Sequence, residues 1–353
     1  VQALFVRHFD NPMLRAGNDQ AAFLPPAGRL VISTDAHVVS PLFFPGGDIG
    51  SLAVHGTIND VAMAGARPLY LSAAFILEQG FPLADLERIV VSMAAASRLA
   101  GVPIVTGDTK VVERGKGDGV FITTTGVGVV PEGVDVSGDR ARPGDVILLS
   151  GSIGDHGVAI LSKRENLAFE TDIRSDSAAL HGLVADMVAA VPGIRVLRDP
   201  TRGGLASTLN EIAQQSRVGL RLDETAIPVK ADVRAACELL GLDPLYIANE
   251  GKLIAICTAA DADRLLAVMR GHPLGRETAV ICEGVADDLA FVQMRTGFGG
   301  ARIVDLLAGG QLLLEAGDLG HQLRRLGLIL GLARGADLLR GGISPGLDLL
   351  HLR

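Results

Sequence analysis

Four groups of ionisable or amide side chains interrupt otherwise apolar stretches, and each falls at an expected turn. The first is Asp35, which closes VIST. The second lies in GGDIGSLAVHGTINDVAMAGARP (46–68), where Asp48 follows two glycines and Asn59 and Asp60 stand inside a helix-like run. The third is TGDTKVV, with Asp108 and Lys110 at a turn, and the fourth is ANEGK, with Asn249, Glu250 and Lys252 around a glycine. Carboxylates withdrawn from water are costly unless paired or bound to a cation. Mg²⁺ takes oxygen ligands and commonly bridges carboxylates to substrate phosphates. Asp35, Asp48, Asp60 and Asp108 suit such a site if the fold gathers them, and ordinary turn chemistry accounts for them if it does not.

The second half adds two Gly-rich turns ahead of helices, SGSIGDHG (150–157) and RDPTRGG (198–204). Helix N-termini offer backbone N–H groups to anions, and Arg202 adds a possible bidentate phosphate contact. Neither turn has the GxxxxGK[ST] or GxGxxG pattern, and a tight loop explains each equally well. His55 and His156 are candidate general bases, though a histidine beside a helix start is more often a satisfied polar group. Cys237, Cys257 and Cys282 lie in apolar segments and read as buried thiols.

Positioning these groups requires two sets of mixed elements. The first half reads as a strand within 29–44, a small-residue helix over 49–65, a strand over 69–77, a helix over 82–100 and strands over 103–112 and 119–130. A Gly-, Pro- and charge-rich stretch (131–145) separates this from a second series. There the patterns give a strand at DVILLSG, a helix at HGVAILSKRE and helices over 175–191, after RDPTRGG and around 231–241. A strand at KLIAICT, a helix over 261–271 and a strand near 278–286 complete it. The fold class expected is α+β in two domains, 1–131 and 145–311, followed by a Leu-, Gly- and Arg-rich tail over 312–353.

Composition narrows the function. The 353 residues are 48% hydrophobic and 20% charged, with net charge −8 and no Trp, so a large aliphatic core is expected and a nucleic-acid surface is not. Three widely spaced cysteines without a CxxC argue against a zinc site or disulfide framework and fit a reducing, cytoplasmic setting. No apolar run reaches the ~18 residues of a membrane span. The chain begins at Val1 rather than Met, which points to a start inside a longer polypeptide.

Taken together, STDAHVVSPLFFPGGDIG, GTINDVAMAGARPLYLSAAFILEQGF, VTGDTKVVERGKGDG, LLSGSIGDHGVAIL, RDPTRGGLASTLNEIA and DPLYIANEGKL closely resemble the HypE hydrogenase maturation factors. These are carbamoyl dehydratases in the superfamily of aminoimidazole ribonucleotide synthetase (PurM) and selenophosphate synthetase. The resemblance covers residues 1 to about 312. It implies a PurM-like fold whose N-terminal domains pair in a homodimer, with the C-terminal α/β sandwich-like domain closing a cleft for ATP and Mg²⁺. The implied reaction converts an S-carboxamide on a C-terminal cysteine to a thiocyanate for the cyanide ligands of a hydrogenase iron. The implied partners are the carbamoyltransferase HypF and the iron-carrying HypC–HypD complex. Matched by motif, Asp35, Asp48, Asp60 and Asp108 are the metal candidates, and Lys110 and Glu250 the catalytic ones. Asn59, Thr109, Gly154, Asp155, Thr201, Arg202 and Asn249 are the nucleotide and phosphate candidates.

Two features depart from the family. Its Gly-rich opening segment has no counterpart here, and its Pro-Arg-Ile-Cys ending is replaced by the Leu-rich tail, with no cysteine after Cys282. The expectation is an ATP site without the carbamoyl acceptor. A related synthetase and a non-catalytic scaffold for maturation proteins are the competing readings.

Overall fold

The computed structural model describes residues 2–18, 20–166 and 172–305. It opens with two short helices, α1 (Gln2–Phe9) and α2 (Pro12–Arg15). Asn11 caps the second by accepting from the N–H groups of Met13 and Leu14. Next come β1 (Arg29–His37), a small hairpin of β2 (Phe43–Phe44) and β3 (Gly47–Asp48), α3 (Ile49–Ala62), β4 (Arg67–Glu78), α4 (Leu83–Ala100), β5 (Ile104–Val112) and β6 (Val120–Val130). The long strands form one sheet in the order β1-β6-β4-β5. Helix α4 returns the chain between β4 and β5, so that pair is parallel, while β6 runs antiparallel to both β1 and β4.

Alternation along β6 buries Val120, Ile122, Thr124 and Gly126 on one face of this sheet. Helix α3 lies on that face and approaches closely, because glycine faces it. A Cβ on Gly126 would meet Thr57 and Val61 at 2.9 Å, and one on Gly128 would meet Val61 Cγ1 at 2.4 Å. The small residues of α3 serve the same purpose from the helix side. Its start is fixed by a capping box: Asp48 Oδ1 accepts from the N–H groups of Gly50 (2.7 Å) and Ser51 (3.0 Å), and Ser51 Oγ accepts from Asp48 N–H.

The second series comprises β7 (Asp145–Leu149), α5 (Asp155–Arg164), α6 (His181–Ala190), β8 (Val196–Arg198), α7 (Gly204–Ser216), β9 (Gly219–Asp223), α8 (Ala231–Leu240), β10 (Ile254–Thr258), α9 (Ala259–Gly271), β11 (Ala279–Val285), β12 (Val292–Arg295) and β13 (Ala301–Ile303). Its strands order as β13-β12-β9-β11-β7-β10-β8, antiparallel except for β9 with β12. Period-2 alternation in β7 sends Leu148 to one core, and Ile147 and Leu149 to another that includes α7. The Leu148 core also takes Val61, Ala62 and Met63 from the end of α3 together with Leu183 and Met187 of α6 and Leu265 of α9. The two sheets therefore share apolar packing, and residues 1–306 form one compact unit.

Several elements differ from the sequence expectation. The helix expected over 175–191 begins only at His181. Ahead of it, residues 172–180 run without regular structure, because their polar groups are engaged elsewhere. Ser175 N–H donates to Pro45 O (2.8 Å), and Leu180 N–H donates to Asn59 Oδ1 (2.7 Å). Groups held by tertiary partners are lost to the helical i→i−4 ladder. The short strands β8, β9, β12 and β13 and the helix α1 carry too little periodicity to be read in advance. The tail over 312–353 lies outside the described residues.

Candidate active site

Asp35 occupies the β1 edge of the first sheet, in register with Thr124 of β6 and on the face covered by α3. Its Oδ1 accepts from Ala36 N–H (2.8 Å), and its Oδ2 lies 3.4 Å from Nε2 of the buried His37. That nitrogen is also 3.3 Å from Thr124 Oγ1, so His37 braces Asp35 against the sheet. Burial lowers the His37 pKa, opposed by the Asp35 charge. Gly56 leaves room for the pair, since a Cβ there would sit 3.1 Å from His37 and 3.3 Å from Asp35 Oδ2. Two residues earlier on the same face, Ser33 Oγ donates to Asp60 Oδ2 at 2.9 Å.

Asp60 lies in the last turn of α3, and there the second series contributes its own acids. Burial raises the Asp60 pKa, with Asp35 adding to the effect and Ser33 and Arg198 opposing it. Asp199, just after β8, is pushed up to about 7 by burial, with further contributions from Asp60 and Asp35. Glu250 is raised well above the usual carboxylate range, first by burial and then by Asp199, Asp176, Asp35 and Asp60. Asp60, Asp199 and Glu250 are thus each raised in part by neighbouring carboxylates, Asp35 among them, where the two series meet, and such repulsion favours a bound cation. Among the described residues no three His, Cys, Asp or Glu side chains form a preassembled metal cage. The donor set fits a hard cation held by one or two carboxylates plus phosphate oxygens, the usual Mg²⁺ arrangement.

The other two expected acids lie elsewhere in the chain. Asp48 begins α3 and Asp60 lies twelve residues on, a separation of about 18 Å at the helical rise. Asp48 Oδ1 takes both capping hydrogen bonds. Asp108 sits on β5, three strands away from β1, or about 14 Å. It is in register with Ala74 and Thr123, whereas Asp35 is in register with Thr124, so the two aspartates project from opposite faces of the sheet. A single chain therefore does not gather the four-aspartate set. Asp108 is exposed and pairs with Lys110 Nζ at 2.9 Å; that lysine and Thr109 N–H hold its carboxyl below the usual range. Beneath α1 and α2, next to Asp108 and Thr109, lies a cavity of about 780 Å³ walled by Phe5, Phe9, Met13 and Phe75.

The remaining candidates divide between framework and surface. Asn59 is buried and its amide is fully engaged: Nδ2 donates to Ala178 O (3.0 Å) and Glu250 O (3.2 Å), and Oδ1 accepts from Leu180 N–H. Asn249 plays a parallel part, with Oδ1 accepting from Gly154 N–H (2.8 Å) and Nδ2 donating to Pro200 O and Ile247 O. Asp155 is buried and accepts from Ser152 Oγ (2.9 Å) and Lys230 Nζ (2.8 Å). Thr201 and Arg202 follow Asp199 in the turn before α7, Arg202 exposed to solvent. That turn requires Gly204, at φ +62°, because a Cβ there would lie 2.5 Å from Leu245 O.

Both histidine candidates are satisfied polar groups. His55 shares a hydrogen bond with Ser177 Oγ (3.0 Å) and His156 with Ser175 Oγ (2.8 Å), and burial lowers each pKa to about 4. The cysteines are unpaired and buried, and desolvation pushes Cys237 to about 11 and Cys257 to about 12. The residue passed over in the sequence was Asp199. It stood in RDPTRGG beside the Arg202 chosen for phosphate, and Asp-Pro reads as a turn former.

The fold and the carboxylate seam define a class. Residues 17–130 match the N-terminal domain, and residues 142–294 the C-terminal domain, of the AIR synthase related proteins, a two-domain PurM-like α+β family. Within that class the chain belongs to the HypE family. It is 76% identical over 313 residues, spanning 88% of this chain and 89% of the relative, to the carbamoyl dehydratase HypE of Cupriavidus necator. A solved HypE in complex with ATP superposes with a TM-score of 0.84 at 55% identity, covering 86% of this chain and 92% of that one. The structure of a HypE–HypF complex gives 0.77 at 49% identity, covering 86% and 98%.

Proposed function

We propose that this chain is an ATP-dependent carbamoyl dehydratase serving hydrogenase maturation, converting an S-carboxamide to a thiocyanate that supplies cyanide to the active-site iron. The observation that carries this reading is the seam of Asp35, Asp60, Asp199 and Glu250 in a chain so similar to named carbamoyl dehydratases. ATP phosphorylates the amide oxygen with loss of one N–H proton. Elimination then breaks the C–O bond, releases phosphate and removes the second proton, leaving C≡N on sulfur. Glu250 is the base we assign, since burial and the neighbouring acids raise its pKa, which makes its carboxylate a stronger base than an ordinary one. Asp35, Asp60 and Asp199 would hold Mg²⁺ with the nucleotide, which would offset phosphate charge. Asn59 and Asn249 enter as braces for the loops around the site.

Asp108, Thr109 and Lys110 belong to the same reading through a homodimer. The sheet face opposite α3 bears the exposed Leu30, Ile32 and Ile76 as well as Asp108 and Lys110, and both β1 and β5 are edge strands. A second copy covering this face would bring Lys110 of one chain toward the carboxylates of the other, where its ammonium would stabilise the transferring phosphoryl group. The cavity below α1 has a size suited to a nucleoside. Among the described residues no helix is long and apolar enough to cross a membrane, and three free buried thiols support a cytoplasmic setting. HypF is the first partner we assign, because a relative is solved with it, and the HypC–HypD complex follows from the chemistry of cyanide delivery.

Residues 283–353 contain no cysteine, so the reaction is tested with a carbamoylated thiol carried on a separate peptide. The test is incubation of the chain with Mg-ATP and a peptide bearing a C-terminal S-carboxamidocysteine, followed by mass spectrometry. The expected product has lost one water in step with phosphate release. ATP cleavage that never dehydrates the peptide would refute the assignment.

A further inference from the structure

Residues 175–180 run between the two halves of the site as a strap, and its contacts converge on Glu250. The Asp176 carboxylate is nearly enclosed, with 5% of the side chain exposed. Its Oδ1 accepts from Glu250 N–H (3.1 Å) and its Oδ2 from Lys252 Nζ (3.0 Å). Between those two residues, Gly251 lies directly against the strap: a Cβ there would fall 1.8 Å from Asp176 O, so only glycine fits. On the far side, Glu250 O accepts from Asn59 Nδ2 (3.2 Å) and from Ala178 N–H (3.4 Å). The backbone of Glu250 is thus held at both its N–H and its C=O by one segment and the asparagine that anchors that segment to α3.

The same carboxylate also settles where the nearest cation goes. Lys252 is largely buried, two residues from Glu250, and Asp176 is its ion-pair partner. A buried ammonium released from that partner would seek another carboxylate, with Glu250 two residues away in the chain and Glu277, which flanks it across Gly151, as the candidates. Glu250 paired with an ammonium would be a weaker base.

Building on the dehydratase reading, we propose that Asp176 is a positioning residue for the reaction: it clamps the Glu250 backbone and sequesters the Lys252 ammonium, leaving the Glu250 carboxyl free to take protons from the carbamoyl nitrogen. Its effect is exerted through Glu250.

The experiment uses the full chain with Mg-ATP and the S-carboxamide peptide. Asp176→Asn keeps an acceptor for Glu250 N–H and removes the charge that holds Lys252, and Asp176→Ala removes both contacts. Lys252→Met combined with Asp176→Asn replaces the ion pair by neutral groups. The expected result for Asp176→Asn is a fall in kcat of about 10–100-fold with the KM for ATP unchanged, the scale of a misplaced catalytic group. Asp176→Ala should fall further, and the double variant should recover part of the loss by removing the released ammonium, a non-additivity that mere loss of structure would not produce. Calorimetric ATP binding on every variant checks that each is folded. An active wild type with kcat unaltered in Asp176→Asn overturns the Asp176 assignment alone, and so does a double variant no better than Asp176→Asn. A wild type that binds ATP yet never dehydrates the peptide overturns the dehydratase reading and this assignment with it.

Discussion

Replacing Asp199 by Asn should stabilise the nucleotide-free protein at neutral pH while disabling it. The carboxyl is pushed from an ordinary 3.8 to about 7 by burial among Asp60 and Asp35. Between those values the folded state binds a proton that the unfolded chain has released, so stability falls as pH rises from about 4 to about 7. The full rise is equivalent to about 4 kcal/mol at 1.36 kcal/mol per pH unit, a ceiling for the loss. Asp199 keeps some solvent contact, and relaxation of its surroundings lowers the effective penalty to about 2 kcal/mol. Asparagine has the same shape and no charge to desolvate. Urea midpoints measured in chelator across pH 4–8 should coincide for the two proteins near pH 4, diverge progressively in favour of Asp199→Asn as pH rises, and stay apart by a constant gap above about pH 7. Saturating Mg-ATP should then stabilise the wild type more than the variant, because ligand binding to the native state raises stability with occupancy. A variant less stable than wild type at pH 7.5 in chelator, or a gap independent of pH across the whole range, would refute the account of the acid seam.

Asp48→Ala should lower stability by about 1 kcal/mol through loss of the capping box, read from the urea midpoint, with ATP turnover retained; collapse of turnover in a folded variant would restore Asp48 as a ligand. Gly128→Ala brings a Cβ to 2.4 Å from Val61 Cγ1 and 2.9 Å from Arg67 O, so a loss of about 1–3 kcal/mol is expected, and the double change with Val61→Ala should recover part of it. Ile32→Asp places a charge on the open apolar face of the first sheet and should yield monomers in sedimentation. Those monomers should keep the fold by circular dichroism but lose ATP turnover, since Lys110 would no longer reach a partner.

Much of the framework was legible because it rests on local rules. The alternation in Val120–Val130, the acidic first turn and closing Gly101 of Leu83–Ala100, and the small-residue face of Ile49–Ala62 each report their own burial. The polar strap at 175–180 was misread as the start of a helix because its hydrogen-bond partners, Pro45, Asn59 and Glu250, lie tens to more than a hundred residues away.

The sequence by itself determined the family, the α+β class and the candidacy of Asp35, Asp60 and Glu250, since residue types and apolar spacing are local properties of the chain. Only the tertiary structure decided which acids act together. Asp48 and Asp60 share a helix yet stand at its two ends, and Asp35 and Asp108 share a sheet yet occupy opposite edges and opposite faces. Asp199 and Glu250, remote in sequence, join Asp35 and Asp60 because α3 and the strap pack the two series against each other. Proximity between distant residues is set by packing, strand order and face, and those are not local quantities.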